Sequence, residues 1–389
     1  HHWFTNDTDI LQLLTEIGLQ DSIRSIDSTV GTLYQNKIYN FVTPLDLLKF
    51  HPLKLTDRVR LGLTTLYLQH QKDWRKYENI TANDWLKKYS GKGPYEIFWE
   101  PMLKGKFGQD YFDKVTMAWV WGKINTRVKS RSKSMVKEKL GYPMGSFGEI
   151  FDVLVERIRE KGGDINLSTL VNSISITNGC LEGITATSKN SPARFSKFDA
   201  VIATTPSHIF QKIVPELPDN YTAKLSKAKY MAAVLIVLVL KRPLSPVYWL
   251  NVADRSIPFV GVIEHTNLIG PEHYGGKHIV YLSNYLSPQH SLYRMKHEQL
   301  LETYLPHLRK VNPCFDLSWI ETTYHHRVDG AQPIIGTNYS QHIPDHRTPF
   351  NGVYLANTTQ IYPEDRGTNY SIRMGRQVAG LVLQDARET

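Results

Sequence analysis

Gly352-Val353-Tyr354-Leu355-Ala356 opens a stretch that closes on Gly367-Thr368-Asn369-Tyr370 and runs on to Asp385. The first five residues form a short apolar run, which reads as a buried strand. From Asn369 to Asp385, Ile372, Val378, Ala379 and Leu383 recur at helical spacing and are expected to point inward. Between them lies a polar loop, Asn357 to Asn369, with a turn at Pro363-Glu364-Asp365-Arg366-Gly367. The first-turn N–H groups of a helix have no acceptor one turn back, and the helix dipole adds roughly half a positive charge there. Gly367, Thr368, Asn369 and Tyr370 thus read as an anion-stabilising helix start, with an ordinary capped helix as the alternative.

The segment before the middle of the chain has a related rhythm. Phe147–Lys161 reads as an amphipathic helix on Ile150, Val153, Leu154 and Ile158, ended by Gly162-Gly163. Short strands are expected at Asp164–Leu167, Val171–Thr177, Leu181–Thr187 and Phe198–Thr204, with turns at Asn178-Gly179 and Asn190-Ser191-Pro192. Ala200-Val201-Ile202-Ala203 reads as a strand buried on both faces, followed by Thr204-Thr205-Pro206 and a helix over His208–Val214. Two such blocks, far apart in sequence, suggest one α/β nucleotide fold assembled from non-adjacent stretches.

Other material is interleaved with it. Asn6 or Asp7 caps a helix through Ile17, and a hairpin joins Thr29–Tyr34 to Lys37–Phe41 around Gln35-Asn36. Thr56 is expected to cap a helix carrying Val59, Leu63 and Leu66 on one face, and Thr81 another through Trp85 and Leu86. Further helices are expected over Tyr95–Lys104 and Val115–Arg127. The middle third reads as β-rich: Val234–Leu240, Val247–Asn251, Phe259–Glu264, Ile279–Asn284 and Glu321–Val328, with one helix at Glu298–Val311. His325 and His326 adjoin in a strand, so they point to opposite faces and cannot share a metal; no metal site is assigned. The expected division is a substrate domain over 1–140 and 207–349, and a nucleotide domain over 141–206 and 350–389.

Composition narrows the function classes. With 46 basic against 37 acidic residues, the 389-residue chain carries a formal charge of +9, which favours acidic ligands or surfaces. Much of the excess lies between Lys104 and Lys139. No nucleic-acid motif accompanies it, so none is expected as a partner, while peripheral contact with a membrane surface stays open. The longest apolar run, Met231 to Leu240, is half the ~20 residues a spanning helix needs. Two cysteines, Cys180 and Cys314, make no disulfide framework, which fits a cytoplasmic protein.

One ordered series of motifs carries a resemblance. It comprises Gly145-Ser146-Phe147-Gly148, Gly162-Gly163-Asp164-Ile165, Val171-Asn172-Ser173-Ile174, Asp199 to Pro206, Tyr354-Leu355-Ala356 and Gly367 to Gly375. The chain resembles the flavin-dependent amine oxidase and protoporphyrinogen oxidase-like superfamily. Trp99 to Gly108, Glu264-His265-Thr266-Asn267 and Gln360 to Tyr370 resemble its bacterial protoporphyrinogen oxidase-like group. The similarity runs from His2 to Leu383.

The resemblance implies a two-domain flavoprotein with a discontinuous Rossmann-like FAD-binding domain and a mixed-sheet, helical substrate domain. It implies FAD as cofactor and hydride removal from a C–N or C–C bond of a small-molecule substrate, which the charge allows to be anionic. It further implies adenine contacts from the Val171 backbone, an adenosine-side loop at Thr204, Thr205 and Pro206, and N–H donors to the flavin at Gly367, Thr368, Asn369 and Tyr370. Glu264, His265 and Asn267, ending a strand, are the candidate catalytic residues. Lys106 and Arg327 are candidate partners for a substrate carboxylate or phosphate.

Two departures stand out. No strand–GxGxxG–helix is present, since Gly91-Lys92-Gly93 follows a helix; the chain is expected to begin about 50 residues past the usual start of such a fold. Asn357-Thr358 stands where many relatives carry Gly-Asp or Gly-Glu, and Glu364 or Asp365 is the expected substitute. Alternatives are a redox-neutral flavoenzyme of the sugar-nucleotide mutase type, an inactive fragment, and a non-catalytic basic protein, for which the strand and helix-start motifs would serve nothing.

Overall fold

A computed structural model describes residues 2–129, 138–189 and 191–388. Arg131, Lys133 and Lys137 of the basic run lie outside the described residues. The chain opens with β1 (Trp3–Phe4) and α1 (Thr8–Glu16), whose N-cap is Asp7 as its sequence suggests. β2 (Ile23–Asp27) precedes a hairpin of β3 (Val30–Tyr34) and β4 (Lys37–Asn40). Gln35 and Asn36 both take positive φ at its turn, the backbone that matches strand twist in a two-residue hairpin.

A helical region follows: α2 (Pro44–Leu48), α3 (Leu55–His70), α4 (Ala82–Ser90), α5 (Lys92–Pro94), α6 (Glu100–Tyr111) and α7 (Met117–Lys129). The expected cap of α3 is corrected, and its faces are set by packing. Its N-cap is Lys54 rather than Thr56, and it buries Leu61, Thr64 and Leu68 while Val59, Leu63 and Leu66 face outward. α6 breaks at Gly108, whose φ of 68° suits a residue without Cβ; a Cβ there would stand 2.9 Å from the Met231 side chain.

β5 (Lys139–Pro143) pairs with β1 and β2, and α8 (Ser146–Glu160) follows. β6 (Thr169–Thr177), β7 (Cys180–Ser188) and β8 (Arg194–Lys197) form an antiparallel sheet of their own. Asp164–Leu167 is not a strand; its residues lead into β6 without a pairing partner. β9 is confined to Val201–Ala203, and Ile202 is 41% exposed, so this strand is not buried on both faces. Its one strand neighbour among the described residues is parallel β15 (below).

After α9 (Ser207–Ile213) and α10 (Asp219–Ser226) come the long strands β10 (Tyr230–Leu240), β11 (Trp249–Val252), β12 (Gly261–Glu264) and β13 (His278–Leu286). The short helices α11 (Ser291–Arg294), α12 (His297–Tyr304) and α13 (Leu308–Val311) lead to β14 (Ile320–Pro333). β15 (Val353–Leu355) and α14 (Thr368–Glu388) end the chain. Of the residues expected inward on α14, Val378 is buried, but Ala379 and Leu383 are exposed.

The main sheet runs β14-β10-β13-β12-β11-β3-β4 and has two unlike faces. On one, Val234, Ile236 and Leu238 of β10 and Val280 and Leu282 of β13 pack under Leu300, Tyr304, Leu308 and Val311 of α12–α13. Each fully buried aliphatic side chain there contributes roughly 1.5–3 kcal/mol relative to exposure, so this layer is the principal core. The strands alternate, which turns Leu235, Val237, Tyr281 and Tyr285 to the other, half-buried face. The register sets Ile263 beside Tyr281 and Trp249 beside Ile263, extending an aromatic row across it.

Candidate functional site

The aromatic face of the main sheet meets the start of α14 through two consecutive residues. Arg366 donates from Nη2 to the Tyr285 hydroxyl at 3.2 Å. Asp365 accepts from Lys123 Nζ at 2.8 Å and stands 3.4 Å from Lys106 Nζ. Trp119 Nε1 and Gln332 Nε2 each donate to its other oxygen at 3.3 Å. α6 supplies Lys106, α7 supplies Trp119 and Lys123, β13 supplies Tyr285 and β14 supplies Gln332. Four elements thereby converge on the two residues ahead of Gly367.

The charges do not cancel. Lys106, Lys123 and Arg366 face one carboxylate, leaving two surplus positive charges. Burial would raise the Asp365 carboxyl, but Lys106, Lys123 and Arg366 together hold it well below the usual carboxylate range. Burial lowers the Lys123 amine, and Asp365 restores it only in part. Lys106 sits 4.5 Å over the Tyr285 ring, and its charge brings that phenol down to about 8. The Lys123 side chain is 36% exposed, so the cluster has access from outside. Arg366 Nε and Gln332 Oε1 are buried without a partner among the described residues.

At the start of α14, Gly367 and Thr368 are exposed and Tyr370 is half-buried, its hydroxyl 3.4 Å from that of Thr126. Asn369 is turned inward. Its amide oxygen accepts from Asp9 N–H at 2.8 Å and Ile10 N–H at 3.1 Å, so it caps α1 from a distant part of the chain. Arg373 to Asp9 and Arg376 to Glu16 fasten the same two helices. Glu364 lies half-buried one residue before Asp365.

A second region forms where β9 and β15 run parallel, Val201 beside Val353 and Ala203 beside Leu355. Thr204, Thr205 and Pro206 leave the carboxyl end of β9, and Asn357 leaves that of β15. The Asn357 side chain donates to the Thr205 carbonyl at 3.0 Å, tying the two ends together. Thr205 Oγ1 is buried with no partner among the described residues. Val171 lies on β6, the edge strand of its sheet, next to a bulge between Val171 and Ser173.

The third region holds Glu264, His265 and Asn267. Glu264 is fully buried and accepts from the N–H groups of Leu244 at 3.1 Å and Ser245 at 2.5 Å. Burial raises its carboxyl to about 7 against the pull of those donors. Asn267 donates to the carbonyls of Ser245 at 2.7 Å and Val247 at 2.9 Å. Both side chains therefore bind backbone of the segment leading into β11. His265 instead enters an aromatic pocket, its Nε2 2.6 Å from the Tyr274 hydroxyl and its ring beside Tyr142 and Tyr281. Burial lowers it to about 4, so it is neutral at pH 7, and its Nδ1 is buried without a partner among the described residues.

Of the two cations expected at a substrate, the structure brings Lys106 into the cluster. Arg327 is exposed and donates to the Tyr293 carbonyl. Tyr285, Lys123 and Arg366 escaped the sequence reading. Their signal was the alternation Tyr281, Ser283, Tyr285 on one strand face, and an Arg directly before the Gly367 helix start.

The sequence profile of the family described as flavin containing amine oxidoreductase matches residues 1–383. No curated protein sequence matches the chain. Among solved structures, a provisionally assigned protoporphyrinogen oxidase from Exiguobacterium sp. 255-15 superposes with a TM-score of 0.72 at 14% identity, covering 98% of this chain and 86% of that one. A reduced UDP-galactopyranose mutase gives 0.71 at 15% identity, over 100% and 86%. Cyclohexylamine oxidase from Brevibacterium oxydans IH-35A gives 0.67 at 11%, over 99% and 87%. At these low identities the superpositions show the fold alone, a mixed α/β fold similar to that of two-domain flavin amine oxidases. With nearly the whole of its length matched by the family profile, the chain belongs to the flavin-containing amine oxidoreductases.

Proposed function

We propose that the protein is an FAD-dependent oxidoreductase that takes a hydride from an amine-like or C–C bond of a small, anionic substrate. The observation that carries this reading is the junction of Asp365 and Arg366 with Lys106 and Tyr285, which sets the α14 start beside the aromatic sheet face. The residues present fit the cofactor. First-turn N–H groups at Gly367 to Tyr370 suit the acceptor-bearing pyrimidine edge of its ring system, where negative charge collects on reduction, and the orphaned Thr205 hydroxyl suits its adenosine side. Parallel β9 and β15 present their carboxyl ends to a nucleotide, and the free edge of β6 offers Val171 backbone to an adenine. In this reading 141–206 and 350–389 form the Rossmann-like FAD domain, and 1–140 and 207–349 the substrate domain.

When bound, FAD supplies the hydride acceptor. The chain's residues do the rest. Surplus charge on Lys106, Lys123 and Arg366 draws and orients an anionic substrate group. The row Tyr281, Tyr285 and Trp249 packs its apolar body and limits water. His265, held neutral by burial, keeps an unpartnered Nδ1 for a hydrogen bond in its aromatic pocket. Glu264 and Asn267 position the His265 segment by clamping the backbone at 244–247.

The same cation surplus suits a diphosphate, so a redox-neutral reaction of the mutase kind is the second reading. Loss of visible flavin absorbance on substrate addition separates the two, because only the oxidoreductase leaves its flavin reduced. The primary test is FAD titration of the purified protein and of Gly367→Val. A Cβ at Gly367 meets nothing nearer than 3.8 Å, so the fold should tolerate the change. FAD affinity should fall at least about tenfold, through blocked backbone approach. Equal affinity would remove the helix start from the cofactor site.

A further inference from the structure

His2 stands outside the cluster around Asp365, at the margin of the aromatic sheet face. β1 begins at the next residue, and the pairing of Trp3 with Gly141 of β5 fixes where the chain enters. Three rings hold the imidazole edge-on: Phe4 at 5.7 Å, Tyr248 at 5.6 Å and Trp249 at 6.1 Å between centroids. Trp249 belongs to the row that continues through Tyr281, so His2 borders the face proposed above to pack the substrate.

The proton on this ring can be assigned. Nδ1 lies 2.7 Å from the Tyr248 hydroxyl. Burial pushes that phenol above its ordinary range, so its O–H proton stays in place and needs an acceptor. Among the described residues the acceptor within reach is His2 Nδ1, which can accept only if it carries no hydrogen of its own. The ring is neutral as well, because burial lowers it to about 3 and the charges of Arg127 and Lys123 act in the same direction. Its single hydrogen then sits on Nε2. His2 is therefore a donor through Nε2–H, with no lone pair left to act as a base. Nε2 itself has no hydrogen-bond partner among the described residues.

The surroundings select what that donor meets. Lys123 and Arg127 stand one turn apart on α7, and both act on the His2 ring. Lys123 is shared with Asp365, and Arg127 stands 3.7 Å from Glu138. With Lys106 and Arg366, four cations here face those two carboxylates, so positive charge remains in surplus. A substrate ammonium would meet cations and an N–H. An oxygen bearing negative charge would find every one of them favourable.

We infer that His2 is a substrate-binding residue, whose Nε2–H donates to the anionic group of the substrate in company with Lys123. The inference rests on the anionic-substrate reading above and adds a donor to that site.

The probe is benzoate, a flat ring with one carboxylate, titrated by calorimetry into the purified protein. His2→Gln sets an amide N–H where Nε2–H stood and gives up the Tyr248 bond. His2→Asn keeps an acceptor for Tyr248 and gives up the outer donor. The Gln variant should hold benzoate within about twofold of the parent, and the Asn variant at least about tenfold more weakly, the loss expected for one hydrogen bond to a charged acceptor. A purely structural role for His2 predicts the opposite order. In spectra of protein carrying isotope-labelled histidine, the signals missing from His2→Asn should report the neutral Nε2–H tautomer from about pH 5 to 8, and benzoate should shift them. An Nδ1–H tautomer, an imidazolium, or benzoate affinity in His2→Asn equal to the parent's would overturn the inference. If Lys106→Met still weakened benzoate in that case, the anionic-substrate reading would stand without it. Failure of benzoate to bind the parent would overturn both.

Discussion

Among the tyrosines whose phenol is shifted in the described residues, Tyr285 is the one moved downward. Lys106 over its ring and the Arg366 donor at its hydroxyl both favour the phenolate, bringing it to about 8. Burial drives Tyr248, Tyr274 and Tyr339 the opposite way, and Tyr95 up to about 12. An ultraviolet titration of phenolate should therefore show an early step near pH 8 that Tyr285→Phe removes and Lys106→Met moves upward. An early step that persists in Tyr285→Phe would assign it elsewhere. Sequence reading picked out Lys106 and Asp365 separately, one for a substrate and one for the cofactor. It had no means to join them, because Lys106 meets Asp365 from the far side of the chain, and spacing arguments end within a single helix or hairpin.

Among the elements, α1 and α14 depend on each other at their starts. The N-cap Asp7 makes no side-chain bond to the first turn of α1; Asn369 does so from α14, accepting from Asp9 and Ile10. Asn369→Ala should cost about 1 kcal/mol, the ordinary worth of a helix cap, whereas Asn369→Asp keeps the acceptor and should cost much less. Denaturant midpoints of the two variants check this, and equal midpoints would count against the cap. Local signals carried the limits of α1, the β3–β4 turn and most strands to within a few residues, because caps, positive-φ turns and alternation are encoded where they act. α3 shows where they fail. Leu55, Val59 and Leu63 repeat as regularly as Leu61 and Leu68, so periodicity alone could not choose the inner face; contact with Tyr77 and Trp85 chose it.

On the scale of the molecule, the order of the main sheet was beyond local reading. Parallel β11 and β3 bring Thr29 and Tyr248 together, and the Thr29 hydroxyl accepts from the Tyr248 N–H at 2.8 Å. Only tertiary packing selects such a partner. The resemblance conveyed the interleaving of two blocks; composition and spacing did not. Glu264 is one of the groups that fix this arrangement, joining the end of β12 to the segment after β10. Its nearest titratable neighbour is His278, 3.5 Å away, which burial keeps toward its neutral form. Burial lifts the Glu264 carboxyl from 4.5 to about 7 in the folded chain, so between those values the folded state holds a proton that the unfolded state has lost. Its contribution is then complete below about pH 4.5 and declines as pH rises through 7, by on the order of 3 kcal/mol. Glu264→Gln keeps an acceptor for the Leu244 and Ser245 N–H groups and carries no charge at any pH. Its denaturation midpoint should fall less than the parent's between pH 5 and 8, and should exceed the parent's at pH 8. Parallel pH profiles for the two proteins would show that Glu264 does not titrate in this window.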